Sequence, residues 1–382
     1  MILETFLNNK PLFYDEIDYT RMPKVYEKIK NKLPSTKIIH LIGTNGKGTT
    51  GRFLASALHN LGYNTGHYTS PHIVKFNERI WLNGKNVSDD LLDTTHKELL
   101  RMLTKEDVEA LSYFEYTTFL AMLLYKECDY IVLEAGLGGE HDATAVFLKI
   151  LTLVTPIDKD HEAFLGDTIE SIATTKLKAV QNYAILSKQH YDKVYEVAHN
   201  LSIQDKREFF THNYFLDTHD EIMLKAISKE LLLAPYLVEN LSLAMAALHF
   251  LKIPFSQEVF KDARLFGRLT YINDNILVDV GHNTLAAKRI LESLREDKYT
   301  LVYNSYKDKN YIEILTILKP IIDEVYIIDV NEDRIESKEN MREALAELGY
   351  IYDNFVGIEK EKKYLVFGSF SVVEAFLKGY IG

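Results

Sequence analysis

Residues 37–49, KIIHLIGTNGKGT, carry the clearest chemistry in the chain. An apolar, β-branched run breaks into Gly43, Thr44, Asn45, Gly46, Lys47, Gly48 and Thr49 and then enters a helical pattern. A strand-to-helix turn of this kind aims backbone N–H groups, the positive end of the helix dipole and a lysine ammonium at one point, and that combination takes polyphosphate. The spacing is shorter than the standard P-loop: only Thr44 and Asn45 separate the first two glycines, and Gly48 stands between Lys47 and Thr49. A turn with chance glycines would not need a lysine between two of them at the helix start. The loop is read as a triphosphate site.

A triphosphate calls for Mg²⁺, which takes hard oxygen ligands and retains several waters. Ser70, Glu134 and Thr49 are the oxygen donors expected near the cradle, and His161 is a candidate nitrogen ligand. Glu134 ends the buried-type run YIVLE and is followed at once by AGLGGEHDAT, whose glycines would let the backbone pass close to a ligand. The plainer readings are a strand-end carboxylate in a salt bridge for Glu134 and a hydrogen-bonded loop residue for His161.

These groups need elements to hold them. Strands are expected at 37–42, 64–69, 130–134 and 150–155, with a helix over 49–61 stopped by Gly62 and a tight turn at Asn83-Gly84. A helical region should run from Ser88 to Glu127 with a break near Thr104, and residues 1–36 should give helical cover through Met22, Val25, Tyr26 and Ile29. Polar groups then lie at three strand exits: the cradle, the loop after Glu134, and PIDKDHEAFLG with Asp158, Asp160 and His161. In open α/β sheets ligands bind beyond the carboxyl ends of strands, so these exits should face one crevice. Residues 168–267 look less regular: a helix carrying Lys176, a strand NYAILS, polar connections and an apolar helix over about 237–250. NILVDV, TLVYNS, EVYIIDV and KKYLVFGS then alternate with helical segments. The expected fold is α/β, with a P-loop-type ATPase domain of mainly parallel sheet over residues 1–267 and a smaller α/β domain over 268–382.

Composition removes several function classes. A net charge of −11 does not make a nucleic-acid surface, which needs clustered Lys and Arg. One cysteine, Cys128, excludes an internal disulfide and a thiolate metal cluster. The first residues lack the basic flank and long apolar run of a secretory signal, and no apolar stretch approaches the ~18 residues of a membrane span. The expectation is a cytoplasmic protein without a nucleic-acid or membrane partner.

RMPKVYEKI, GTNGKGT, YTSPHIVKFNERIWLNG, FEYTTFLAM, EAGLGGEHDAT, DKDHEAFLG and FGRL followed by DVGHN occur in that order along nearly the whole chain. On these strings the chain resembles the folylpolyglutamate synthase/dihydrofolate synthase branch of the Mur ligase family. The resemblance implies a three-layer ATPase domain, a Rossmann-like C-terminal domain, and closure of the two over ATP and substrate. It implies that Ser70, Glu134 and His161 hold Mg²⁺, and that Lys176 in IATTKLK is carbamylated to hold a second ion. Asn240 resembles the residue that meets adenine, and Arg268, Asp279 and His282 resemble the second domain's nucleotide contacts. Lys47, Lys176, His161 and Arg268 take catalytic roles, while Pro71, His72, Phe76, Arg79 and Glu115 fall on the substrate side. The chain also departs from the family pattern. Thr175 stands where Glu usually precedes the lysine, Tyr236-Leu237 replaces His-Gln, and DVGHNT replaces DGAHNP.

The implied reaction is ATP-dependent amide formation between L-glutamate and either dihydropteroate or a reduced folate, by a monomer that releases ADP and phosphate. The aromatic-rich loops would give a pterin a surface for stacking. One rival is a Mur-type ligase that joins an amino acid to a cell-wall nucleotide precursor. The other is a switch protein that uses ATP to change shape without ligation.

Overall fold

The apolar run that precedes the glycines becomes the central strand of the larger of two sheets. The computed structural model describes residues 2–10, 18–160 and 162–381. The chain divides into two compact units: Met1–Leu233 with Leu237–Arg264, and Leu265–Gly382 with Ala234–Tyr236. The expected division at 267/268 falls just inside the second unit.

In the first unit the strands are β1 Lys37–Ile42, β2 Thr65–Tyr68, β3 Ile80–Leu82, β4 Lys85–Asn86, β5 Tyr130–Glu134, β6 Leu151–Val154, β7 Tyr183–Leu186 and β8 Glu208–Thr211. Their spatial order is β4-β3-β2-β5-β1-β6-β7-β8. From β2 to β8 the neighbours are parallel, and β3 and β4 add an antiparallel hairpin at one edge. Asn83 (φ 45°) and Gly84 (φ 92°) make the hairpin turn, a left-handed pair that Asn-Gly adopts readily. Because β1 lies between β5 and β6, with Leu41 opposite Glu134 and Ile42 opposite Val154, three loop-bearing strand ends are neighbours.

Both faces of β1 are covered, which is why its sequence does not alternate; its buried polar residue, His40, meets Thr144 Oγ1 at 2.7 Å. Ile39 and Leu41 pack with Phe53, Leu54 and Leu58 of helix Lys47–Asn60 and with Leu241 and Met245 of helix Pro235–Phe250. Ile38 faces the other layer, where Phe119 and Leu120 of helix Tyr113–Leu124 lie. Each such Leu or Ile contributes about 1.5–3 kcal/mol of transfer free energy. Of the expected N-terminal cover, helix Arg21–Ile29 buries Met22, Val25 and Ile29. Residues 11–17 lie outside the described residues.

The stretch expected to break once near Thr104 breaks twice, into helices Asp89–Met102, Lys105–Ala110 and Tyr113–Leu124. Each starts at a hydroxyl cap: Ser88, Thr104 and Ser112 accept backbone N–H bonds from Leu91, Asp107 and Glu115. A cap of this type contributes about 1 kcal/mol. Residues 168–267 are more regular than expected. Helices Asp192–Asp205 and Thr218–Glu230 and strand β8 occupy what read as polar connections.

The second unit has a sheet of β9 Thr270–Asn273, β10 Ile276–Val278, β11 Tyr299–Tyr303, β12 Ile322–Ile327, β13 Ile351–Asn354 and β14 Tyr364–Phe367. Their order is β13-β12-β11-β14-β10-β9, parallel except for β9. The four expected strands are β10, β11, β12 and β14; β9 and β13 are edge strands without an apolar run. Leu277, Leu301, Val325 and Leu365 pack with Ile290, Ile314, Leu318, Met341 and Leu345 from the helices. Among the described residues no helix is long and apolar enough to cross a membrane.

Candidate active site

The cradle forms where β1 ends, and two of its glycines are sterically required. At Gly43 (φ 137°) a Cβ would sit 2.1 Å from Thr155 Oγ1, and at Gly46 (φ 94°) it would sit 2.4 Å from Asn240 Oδ1. Gly46 is the N-cap of helix Lys47–Asn60, so the amides of Lys47, Gly48 and Thr49 are first-turn donors with no intrahelical acceptor. The amides of Thr44 and Asn45 are turned elsewhere: both donate to Pro156 O, at 2.9 and 3.4 Å. The convergence of N–H groups expected from the sequence is therefore supplied by the helix start and not by the whole loop.

Two lysines meet beneath the loop. Lys47 Nζ lies 3.2 Å from Gly43 O, 3.3 Å from Thr44 O and 3.9 Å from Glu134 Oε1. Lys176 Nζ donates to the same Gly43 carbonyl at 3.0 Å. Burial, and next the neighbouring Lys47 ammonium, pull Lys176 down to about 7.

Glu134 is buried at the end of β5, where its carboxylate accepts from the Thr69 hydroxyl and from Ser70 N at 3.3 Å. The Thr49 hydroxyl is buried with no hydrogen-bond partner among the described residues. An orphaned buried hydroxyl, a buried carboxylate and the adjoining Ser70 are hard oxygen donors, a set that suits Mg²⁺ with retained waters. Among the described residues no three His, Cys, Asp or Glu side chains group together as metal ligands. His161 lies outside the described residues.

The glycine loop after Glu134 has a packing reason. A Cβ at Gly139 would meet the Lys176 carbonyl at 2.6 Å, and one at Gly136 would meet the Phe114 ring at 2.7 Å. These glycines let the chain pass close to protein neighbours. Asp142, which has no role in the sequence reading, pins this loop: its buried carboxylate accepts from Gly136 N, Leu137 N and Thr144 N, each at 2.9 Å. Its place just before an Ala-Thr turn was the available signal, since Asp readily caps such turns.

The substrate-side residues belong to the same unit. In the loop after β2, the Glu78 carboxylate accepts from Ile73, Val74 and Lys75 N at 2.8, 3.0 and 2.8 Å. Arg79 Nε donates to His72 Nδ1 at 2.8 Å and its guanidinium lies 5.2 Å from the Tyr113 ring. Phe76 is buried against His72 and Tyr113, and Pro71 is exposed next to Ser70. Glu115 is engaged by Arg21 Nε at 2.7 Å and Ser112 N at 2.7 Å. Asn240 is buried beside Gly46, with its Nδ2 unpartnered among the described residues.

Arg268, Asp279 and His282 lie in the second unit. Arg268 Nη1 donates to Gly267 O at 3.1 Å and the guanidinium lies 5.2 Å from the Phe370 ring. Asp279 is buried, its acidity weakened by that burial, and it accepts from Tyr236 OH at 2.8 Å, Leu269 N at 2.8 Å and Gly281 N at 2.7 Å. His282 Nδ1 faces Val280 O at 3.2 Å.

A cradle of helix amides and lysine at the end of a central parallel strand, with a buried carboxylate on the next strand, defines a nucleotide-phosphate-binding α/β protein. No protein-family model matches the chain. It is 29% identical over 411 residues to the dihydrofolate synthase/folylpolyglutamate synthase of Haemophilus influenzae, covering 94% of this chain and 93% of that protein. It is 30% identical to the protein of the same name from Buchnera aphidicola of Baizongia pistaciae, covering 82% and 78%. Among solved structures, Helicobacter pylori folylpolyglutamate synthetase has 38% identity and a TM-score of 0.81 over 98% of this chain and 97% of that one. E. coli FolC with DHPP and ADP shares the fold, with 24% identity and a TM-score of 0.82 over 99% and 96%. So does the Yersinia pestis bifunctional enzyme with AMPPNP and Mn ion, with 22% identity and a TM-score of 0.81 over 99% and 97%. The chain belongs to the dihydrofolate synthase/folylpolyglutamate synthase family.

Proposed function

We propose that this protein is an ATP-dependent ligase that joins L-glutamate to dihydropteroate and to reduced folates. The observation that carries the reading is the cradle itself, with Lys47 held between the Gly43 and Thr44 carbonyls and Glu134 in a chain related along its length to that family. The substrate carboxylate attacks the γ-phosphorus of ATP, forming an acyl phosphate and releasing ADP. The glutamate amine then attacks the acyl carbon, loses a proton and expels phosphate. Phosphoryl transfer leaves the protein little covalent work, so its task is positioning and charge neutralisation. The first-turn amides and Lys47 would spread the negative charge that the transferring phosphoryl group develops.

Glu134, Thr49 and Ser70, with His161, would hold Mg²⁺, which when bound neutralises phosphate charge. A second Mg²⁺ is the finer reading, and a Lys176 amine that loses its proton near pH 7 is in the form that takes up CO₂ as a carbamate. Asn240 is assigned to adenine, as its buried free amide beside Gly46 supports. Pro71, His72, Phe76, Arg79 and Glu115 are assigned to the folate side. Arg268, Asp279 and His282 are assigned nucleotide contact on the likeness of their motifs alone. Residues 1–267 are then the ATP-binding domain and 268–382 the ligase C-terminal domain of a cytoplasmic monomer.

The test is ADP release with dihydropteroate or tetrahydrofolate, each with and without glutamate. Glutamate-dependent release with both acceptors is expected, and release with neither would overturn the reading. A second reading, folate glutamylation only, is favoured by the name of the Helicobacter pylori relative, a folylpolyglutamate synthetase. It would show as release with tetrahydrofolate alone.

A further inference from the structure

The cradle takes its position from the strand exit beside it. Besides the Thr44 and Asn45 amides on Pro156 O, the Thr44 hydroxyl donates to Asp158 O and accepts from Asp158 N, both at 3.0 Å. The course of residues 155–158 therefore decides where the cradle stands. This segment follows β6 and is irregular. Pro156 has no N–H by which to be pinned.

Thr155 is tied to β1 by its N–H and hydroxyl, which donate to Ile42 O at 2.9 and 3.2 Å, and the support beyond Thr155 comes from the next strand. Gln189, buried in the loop after β7, accepts from Ile157 N at 2.9 Å on Oε1. Its Nε2 donates to Ser187 O at 3.1 Å and, at 3.5 Å, to Thr155 O. One side-chain amide thus holds the residues on both sides of Pro156 and ties them to the β7 exit. We propose that Gln189 is a positioning residue for nucleotide binding, acting through the Pro156 carbonyl on the Thr44 and Asn45 amides. The residue type is specific to the task. A carboxylate would offer acceptors to carbonyls that need a donor, and an apolar side chain would leave buried backbone groups unpaired. Neither Gln189 nor its loop reaches the phosphate side of the cradle through any of these bonds, so its influence is on geometry.

The inference rests on reading the cradle as a nucleotide site, and the experiment separates the two. ADP affinity by calorimetry and KM for ATP and for glutamate are measured on the full chain as wild type, Gln189→Met and Tyr195→Phe. The last removes the hydroxyl that accepts from Gln189 N at 2.9 Å and leaves the side-chain bridge intact. Gln189→Met should weaken ADP and raise KM for ATP on the order of tenfold, the scale of one or two lost hydrogen bonds, with KM for glutamate unchanged. Tyr195→Phe should lower the melting temperature and leave ADP affinity at the wild-type level. Wild-type ADP affinity in Gln189→Met, or an equal loss in Tyr195→Phe, would overturn the proposal. If Gln189→Met does not fold, Gln189→Glu, which keeps an acceptor for Ile157 and loses the donor, carries the same expectation. Wild-type protein that binds no ADP would instead overturn the reading of the cradle, and the inference with it.

Discussion

Replacing Lys176 by methionine should stabilise the first unit, and the gain should depend on pH. Lys176 is 4% exposed, its ammonium has Gly43 O as a hydrogen-bond acceptor, and Lys47 lies close by. In the unfolded chain the side chain keeps its proton up to about 10.5, whereas in the folded protein it gives it up near 7. Between these values the unfolded chain binds the extra proton, so stability rises with pH across the window. The full cost is present below about 7. The difference of roughly 3.5 pH units, at 1.36 kcal/mol each, sets an upper bound of about 5 kcal/mol at low pH. The lost bond to Gly43 offsets about 1 kcal/mol of this. Methionine keeps a similar volume and brings no charge. Urea unfolding in bicarbonate-free buffer can be followed by Trp81, the chain's one tryptophan, which is buried in the same unit. From about pH 7 to about pH 9 the advantage of Lys176→Met should shrink by roughly 2 to 3 kcal/mol. A difference that stays constant with pH would refute the reasoning, because it would mean that packing and not charge burial sets the cost.

Lys47→Ala should reduce ADP production at least 100-fold, the scale of losing one aligned cationic group, while the Trp81 unfolding curve stays near wild type. Near-normal turnover would remove Lys47 from the phosphate site. Glu134→Gln keeps the volume and one acceptor for Thr69 but loses the negative charge, so the Mg²⁺ concentration for half-maximal turnover should rise about tenfold or more. An unchanged Mg²⁺ titration would argue that Glu134 only braces Ser70 and Thr69. Gly46→Ala puts a Cβ 2.4 Å from Asn240 Oδ1 at a φ of 94°, so ADP affinity should fall on the order of tenfold in calorimetry. Wild-type affinity would show that this helix cap can relax without disturbing the amides.

What could be read in advance divides along physical lines. β1, β5 and β6 are buried on both faces, so continuous apolar runs announce them, and the glycines between strand and helix announce the cradle. Helices Asp192–Asp205 and Thr218–Glu230 bury only narrow stripes, Val194, Val197, Ala198 and Leu201 in one and Met223 and Ile227 among few others in the second. Their polar majority hides the period. Edge strand β13, IYDN, has no buried residue at all, and its pairing with β12 is a long-range fact that no local pattern carries. The site followed the same rule. Lys47 and Glu134 stand in distinctive local strings, whereas Asp142 and Gln189 act on backbone groups several residues or a whole strand away. The Thr44 and Asn45 amides show the limit from the other side, since the glycines announced their loop but gave no sign that Pro156 would claim them.

The strand order has a consequence for how the chain is made. Strands β1 and β2 are consecutive in sequence yet not in contact, because β5 lies between them, and the partners of Lys37 and Ile39 are Tyr130 and Leu151. A nascent chain leaving the ribosome therefore carries KIIHLI with both edges unpaired for roughly 90 further residues, about 5 to 20 seconds of synthesis. During that time the strand's cover comes from helices alone: Lys47–Asn60 on the face of Ile39 and Leu41, and Arg21–Ile29, later joined by Tyr113–Leu124, on the face of Ile38. The cradle cannot take its final shape before Pro156 has emerged, so nucleotide has nothing to hold until the chain has grown past its first third.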